Sequence, residues 1–164
     1  MLSENSPKHR RLVSDYESLK KEFSGNKYIN IEPLGESPFR KYRVIYKIKT
    51  YAFKNPQKKN SDLIRNGPHI IEIDLSESYP REKPYFTYRT EIFHPNFGNY
   101  ICIADHWAPS SKLSDLIYQI GEMLLYKTFN STSPLNAKAA VWALENIDKF
   151  PTEDINLRMM DFEI

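Results

Sequence analysis

From Ser6 onward the apolar positions recur with a helical period. Leu12, Tyr16, Leu19 and Phe23 fall at i, i+4, i+7 and i+11, one face of an amphipathic helix. Ser6-Pro7 supplies an N-cap and a proline at the first helical position, and Ser24-Gly25-Asn26 ends the segment. Period two then takes over. Tyr28–Glu32 reads as a short strand closed by Pro33. In Tyr42–Tyr51, Tyr42, Val44, Tyr46 and Ile48 share one face, with Arg43, Lys47 and Lys49 on the other. Ile70–Leu75 sets Ile71, Ile73 and Leu75 against Glu72 and Asp74, and Tyr85–Thr90 is a fourth strand. The polar stretch Lys54–Pro68 reads as a long connection. No helix separates the strands, so consecutive antiparallel pairing is the simplest topology. Phe93–Ser110 has no sustained period and is the kind of long irregular segment that usually carries function. Helical spacing returns with Leu113, Leu116, Ile117, Ile120 and Leu124, capped by Ser110 or Ser111. Ala137–Ile147 follows, with Ala140, Leu144 and Ile147 on one face, and Thr152–Met160 is expected to form a short last helix. Helix, strands, irregular segment, helices is an α+β order.

Composition narrows this picture. At 164 residues, 40% hydrophobic and 27% charged, the chain is expected to be one soluble domain, residues 1–164. Its core spans about 7–150, with a short acidic extension at 151–164 carrying Glu153, Asp154, Asp161 and Glu163. The net charge of +2 does not by itself imply a nucleic-acid partner. Charge is uneven, however: Arg40–Arg65 holds nine Lys/Arg against Asp62. That stretch is read first as a solvated strand face and loop, and otherwise as a surface for an acidic partner. Met1–Arg11 has no apolar core of a secretory signal, and no apolar run reaches membrane-spanning length, so a cytoplasmic location is expected. With no Gly-rich phosphate loop, kinase, NTPase and dinucleotide chemistry are disfavoured. Cys102 is the single cysteine, which excludes an internal disulfide framework and a cysteine-rich zinc site. No metal is expected.

The chemistry concentrates in His94-Pro95-Asn96-Phe97-Gly98-Asn99-Tyr100-Ile101-Cys102-Ile103, followed by Trp107-Ala108-Pro109. Tyr79-Pro80-Arg81-Glu82-Lys83-Pro84 stands upstream, and Ser133-Pro134-Leu135-Asn136-Ala137 opens the alanine-rich helix downstream. This set, in this order on this element pattern, resembles the ubiquitin-conjugating enzyme family. The resemblance runs from about Pro7 to Ile147 and is strongest from Tyr79 to Ala140. It implies an N-terminal helix, a four-stranded antiparallel meander, a cysteine loop and helices packed on the sheet. It also implies that Cys102 receives a ubiquitin-like protein from an activating enzyme as a thioester and passes it to a lysine. No cofactor is implied, because the activating enzyme uses the ATP.

By the same resemblance Asn96 stabilises the oxyanion or orders the loop around the cysteine. His94 and Pro95 set the turn, and Trp107 and Pro109 form the Trp-x-Pro loop, the indole packing beneath it. Ser133 stands at the mouth of the site, where its plain alternative is the N-cap of the next helix. Lys8, Arg10, Arg11, Tyr79 and Ala108 fall where activating enzymes and ligases dock. The implied partners are therefore a ubiquitin-like protein, an activating enzyme, a ligase and protein substrates, with neither membrane nor nucleic acid.

Physical chemistry agrees with the division of labour. A free thiol near pKa ~8.5 leaves a few per cent thiolate at neutral pH, which suffices for a nearly isoenergetic thioester exchange. Lysine attack is harder, because the amine must lose a proton and an oxyanion must be stabilised. Three departures stand out: eight positions from His94 to Cys102, about two fewer than in most members, a short Cys102–Trp107 segment, and a long basic connection Tyr51–His69. They suggest a divergent bacterial member, some of whose relatives act in antiviral defence. Asp105-His106 lies inside the shortened loop, and His106 reads first as an exposed loop histidine and second as a base near the thioester. The competing functions are an inactive variant that binds ubiquitin-like proteins, a cysteine peptidase pairing Cys102 with His94 or His106, and a nucleic-acid binder using Arg40–Arg65 with Tyr42, Tyr46, Tyr51 and Phe53.

Overall fold

The computed structural model describes residues 3–103 and 106–161; Asp105 and Glu163 lie outside the described residues. Helix α1 (Pro7–Phe23) starts where the sequence places it, with the Ser6 hydroxyl accepting from the His9 N–H at 3.0 Å. Lys20 and Lys21 sit in its last turn, favourable for the helix dipole, and Gly25 leaves at φ +74°. Leu12, Leu19 and Phe23 are buried as the stripe requires. Asp15 is buried with them, which the polar pattern does not suggest.

The main sheet contains β1 (Ile29–Leu34), β2 (Lys41–Tyr46), β5 (His69–Asp74) and β6 (Tyr85–Tyr88), in that spatial order and antiparallel throughout. Its inner face buries Tyr42, Val44, Tyr46, Ile71, Ile73 and Phe86. Helix α2 (Leu113–Leu124) contributes Leu113, Leu116, Ile117, Ile120 and Leu124 to the same core. The buried Tyr46 hydroxyl is satisfied by the Ile117 carbonyl at 2.6 Å. The outer face carries cross-strand ion pairs, Lys41–Asp74 at 3.4 Å and Arg43–Glu72 at 3.2 Å, with Arg89 also on Glu72 at 2.8 Å. Lys41 and Arg43 of the basic stretch are thus paired on a solvated face, where each bridge contributes little. No described helix is long and apolar enough to cross a membrane.

Five expectations are corrected. The alternation of Tyr42–Tyr51 runs in phase through Ile48, yet the strand stops at Tyr46. A new strand, β3 (Thr50–Phe53), turns away to pair with β4 (Leu63–Asn66) in a separate two-stranded sheet. The polar connection Lys54–Pro68 therefore contains half of a hairpin. Helix α2 is not capped by Ser110 or Ser111: its N-cap is Lys112 without a side-chain bond, and the Ser111 hydroxyl accepts from Ala108 N–H instead. Helix α3 (Ala137–Glu145) buries Ala139, Ala140 and Ala143, leaving Leu144 55% and Ile147 59% exposed. The small residues let the helix lie close, and the large ones face out. Thr152–Met160 forms no helix. It runs as an irregular strap that buries Leu157 and bridges Met160 to Asn26.

The hairpin helps to build a second, aromatic core. Tyr51 packs on Trp142 and Tyr126, Phe53 on Phe93, and Tyr126 stacks on Phe150 at 4.4 Å. Tyr126, at φ +58°, also donates its hydroxyl to the Phe93 carbonyl. This cluster ties the end of α2, α3 and the hairpin to the strand exit that leads into the cysteine segment.

Candidate active site

Cys102 is half-buried and its N–H donates to the Asn96 carbonyl at 2.9 Å. Ile101 N–H donates to the Phe86 carbonyl at 3.0 Å, and Phe97 bridges Ile101, so the segment folds back as a compact loop on the end of β6. Pro95 offers its carbonyl to the N–H groups of Leu135 and Asn136, joining this loop to the start of α3.

Asn96 is 3% exposed, and both ends of its amide are engaged by one residue. Nδ2 donates to the Asn130 carbonyl at 2.9 Å, and Oδ1 accepts from the Asn130 N–H at 2.8 Å. These two bonds tie the Cys102 loop to the segment at Asn130. Asn130 in turn accepts from the Thr132 N–H and hydroxyl at 2.9 and 2.7 Å. In the sequence Asn130 reads only as a helix breaker, with no signal of this role. Asn96→Ala removes two hydrogen bonds and strands both backbone groups of Asn130, an expected loss of about 2–3 kcal/mol in urea unfolding.

His94 is fully buried, and its Nδ1 accepts from the Asn96 N–H at 3.0 Å. Burial lowers the imidazole to about 3, with the Thr128 and Met123 backbone pulling weakly the other way. The ring is therefore neutral, and with Nδ1 engaged in the turn and no exposed surface it does not line the space beside Cys102 where a peptidase base would stand. In the unfolded chain an imidazole titrates near ~6.5. The neutral ring's contribution is full above that value and is lost as pH falls toward 3. His69, also lowered by burial, acts in the same direction. We expect stability in urea to fall by about 5 kcal/mol across this window from His94 alone, and His94→Gln to flatten the slope in part.

Trp107 lies half-buried against Tyr79, ring centroids 5.9 Å apart, and donates from Nε1 to the Pro80 carbonyl at 2.8 Å. Arg11 anchors the same segment from α1. Its Nε donates to both Asp15 oxygens at 3.0 Å, Nη2 to the Tyr79 hydroxyl at 3.0 Å and the Ser111 carbonyl at 2.9 Å, and Nη1 to the Pro109 carbonyl. Tyr79 is 2% exposed and donates its hydroxyl to Asp15. Arg11 and Tyr79, both expected at partner docking, also serve as internal ties. Their side chains satisfy one another's buried polar groups. Lys8 bonds Glu77, while Arg10 and Ala108 are exposed.

A cavity of about 350 Å³ opens beside the thiol, lined by Cys102, Asn96, Asn130, His106, Gln119 and Met123 among others. Ser133 does not line it. That serine is exposed on the turn held by Asn130 Oδ1, and the cap of α3 is Asn136, which accepts from Ala139 N–H at 3.0 Å. Among the described residues no cluster of His, Cys, Asp and Glu is arranged to hold a metal.

Comparison with known proteins places these features. The chain is 31% identical over 101 residues to the NEDD8-conjugating enzyme Ubc12 of Arabidopsis thaliana, covering 58% of this chain and 53% of the relative. It is 27% identical over 113 residues to NEDD8-conjugating enzyme UBC12 of Kluyveromyces lactis, covering 62% and 60%. It therefore spans little more than half the length of these relatives. The E2 domain of a Toxoplasma gondii ubiquitin conjugating enzyme superposes with a TM-score of 0.60 at 20% identity, over 88% of this chain and 92% of that one, which shows the fold. The family model described as "Ubiquitin-conjugating enzyme" matches residues 47–155, from the hairpin through the cysteine loop to the C-terminal strap. On a match of that extent, which contains His94, Asn96, Cys102 and Asn130, the chain belongs to the ubiquitin-conjugating enzyme family.

Proposed function

We propose that this chain accepts a ubiquitin-like protein from an activating enzyme as a thioester on Cys102 and transfers it to a lysine amine. The observation that carries the reading is the placement of the chain's single thiol. It is half-exposed at a cavity, on a loop fixed by Asn96, Asn130 and neutral His94. In the first step the Cys102 thiolate attacks the carbonyl carbon of the incoming thioester, a C–S bond forms, and the activating enzyme's thiolate leaves. In the second, a neutral amine attacks the same carbon and Cys102 is the leaving group. The rigid loop keeps the thioester carbonyl in one place between the two steps, which is the entropic part of catalysis. No group on this chain needs to bind ATP.

The modifier lies along the cavity and the activating enzyme and ligase bind near α1. A groove of about 460 Å³ there is lined by Pro7, Lys8, Tyr79, Pro80 and Pro109. Ser133 is proposed only as a contact for the incoming lysine. The names of the relatives make a NEDD8-like modifier one class to try. A bacterial antiviral setting rests on the short loops alone, and gene neighbourhood checks it. The test is incubation with ATP, an activating enzyme and its ubiquitin-like protein. A covalent adduct released by thiol reductant supports the reading, and its absence across cognate pairs taken from the gene neighbourhood overturns it.

A further inference from the structure

The cavity beside Cys102 has a lining that limits how a lysine can be deprotonated there. Asn96 is committed to Asn130, His94 is buried and neutral, and Gln119 and Asn130 do not ionise at working pH. Among the described residues no carboxylate lines the cavity, and His106 is the one side chain lining it, besides the nucleophile, that can take up a proton. The neighbouring charges are few. Lys83 reaches the Ile103 carbonyl at 3.4 Å, and Asp115 and Glu122 of α2 line an adjoining cleft that shares Gln119 and Thr128. His106 directly precedes Trp107, whose indole is tied to Pro80, so the backbone beyond the histidine is anchored while the ring stays open to solvent.

We infer that His106 is a catalytic residue of lysine transfer, accepting the proton of the attacking amine at the Cys102 thioester. The inference rests on the function proposed above. The amine nitrogen bonds to the thioester carbon, giving an oxyanion and an N–H proton in excess. A ring nitrogen of His106 takes that proton. Collapse re-forms the carbonyl, breaks the C–S bond and expels Cys102 as thiolate, which the imidazolium reprotonates, so amide and free thiol result with the histidine neutral again. Imidazole is suited to this because a ring nitrogen can take a proton and hand it back.

The experiment is single-turnover discharge from purified charged enzyme, so that loading rate drops out. His106→Gln should slow discharge to free lysine ~10²-fold. Discharge to hydroxylamine, whose N–H in the adduct is acidic enough to pass directly to water, should stay within about threefold. Added imidazole should restore part of the lysine rate to His106→Ala. Lysine discharge by His106→Gln at the wild-type rate overturns the inference while leaving the thioester reading intact. Equal slowing toward both nucleophiles also overturns it, since that is the mark of a displaced loop. A wild-type chain that never charges overturns both.

Discussion

Cys102→Ser is expected to carry the ubiquitin-like protein as an oxygen ester that survives thiol reductant, and Cys102→Ala to carry none. The argument is chemical and positional. Sulfur and oxygen sit in nearly the same place on the loop, because the residue is held by its backbone N–H to Asn96 and not by its side chain. A serine hydroxyl is a far weaker nucleophile, so loading falls on the order of a hundredfold or more. The product is an ester that reductant does not cleave and alkali does. A band on gel electrophoresis with and without reductant reads all three states. An adduct that Cys102→Ala retains at wild-type level would place the attachment elsewhere. No other thiol exists in this sequence to take over, so the result cannot be blurred by a second cysteine.

Arg11→Met should cost about 3–5 kcal/mol of unfolding free energy, more than the loss of the Asn96 amide, because it strands a buried charge. The guanidinium bonds Asp15, Tyr79, Ser111 and Pro109, and its charge lies over the Tyr79 ring at 5.3 Å. Burial raises the Asp15 carboxyl, and Tyr79 and Arg11 pull it back down. Removing Arg11 leaves a buried carboxylate with the Tyr79 hydroxyl as its remaining tie. The double variant Arg11→Met with Asp15→Leu should recover a large part of the loss, since no uncompensated charge remains. The shift in urea midpoint gives both numbers. A single-variant loss under about 1 kcal/mol would mean that water replaces the guanidinium at no net cost.

The sequence was legible where one physical rule acted alone. The stripe of α1, its Ser6 cap, the four-stranded meander and the stripe of α2 follow from periodicity and capping. The cysteine loop was readable because His94, Asn96 and Cys102, in that order, carry the resemblance to the family. Reading failed where tertiary packing overrode a local pattern. Ile48 stays in phase with Tyr46 and is buried like it, so alternation could not reveal that the chain leaves the sheet between them. In α3 the apolar stripe is real, yet the helix uses its alanines because a close approach to the aromatic cluster favours small side chains. Arg11 and Tyr79 read only as docking positions, since their tie to Asp15 can be recognised only once α1 is placed against the loops. Asn130 was hidden for a similar reason: its role lies in backbone groups, which any residue type shares.

The reach of Arg11 has a practical consequence for dissecting this chain. Its bonds to Pro109 and Ser111 span 98 and 100 positions. The first helix is thus a strut for the segment that follows Cys102, besides carrying the face proposed for partners. An N-terminal truncation meant to abolish docking would also untie the far side of the thioester loop. The two effects separate only with variants at Lys8 or Arg10, which change the outer face and leave the strut in place.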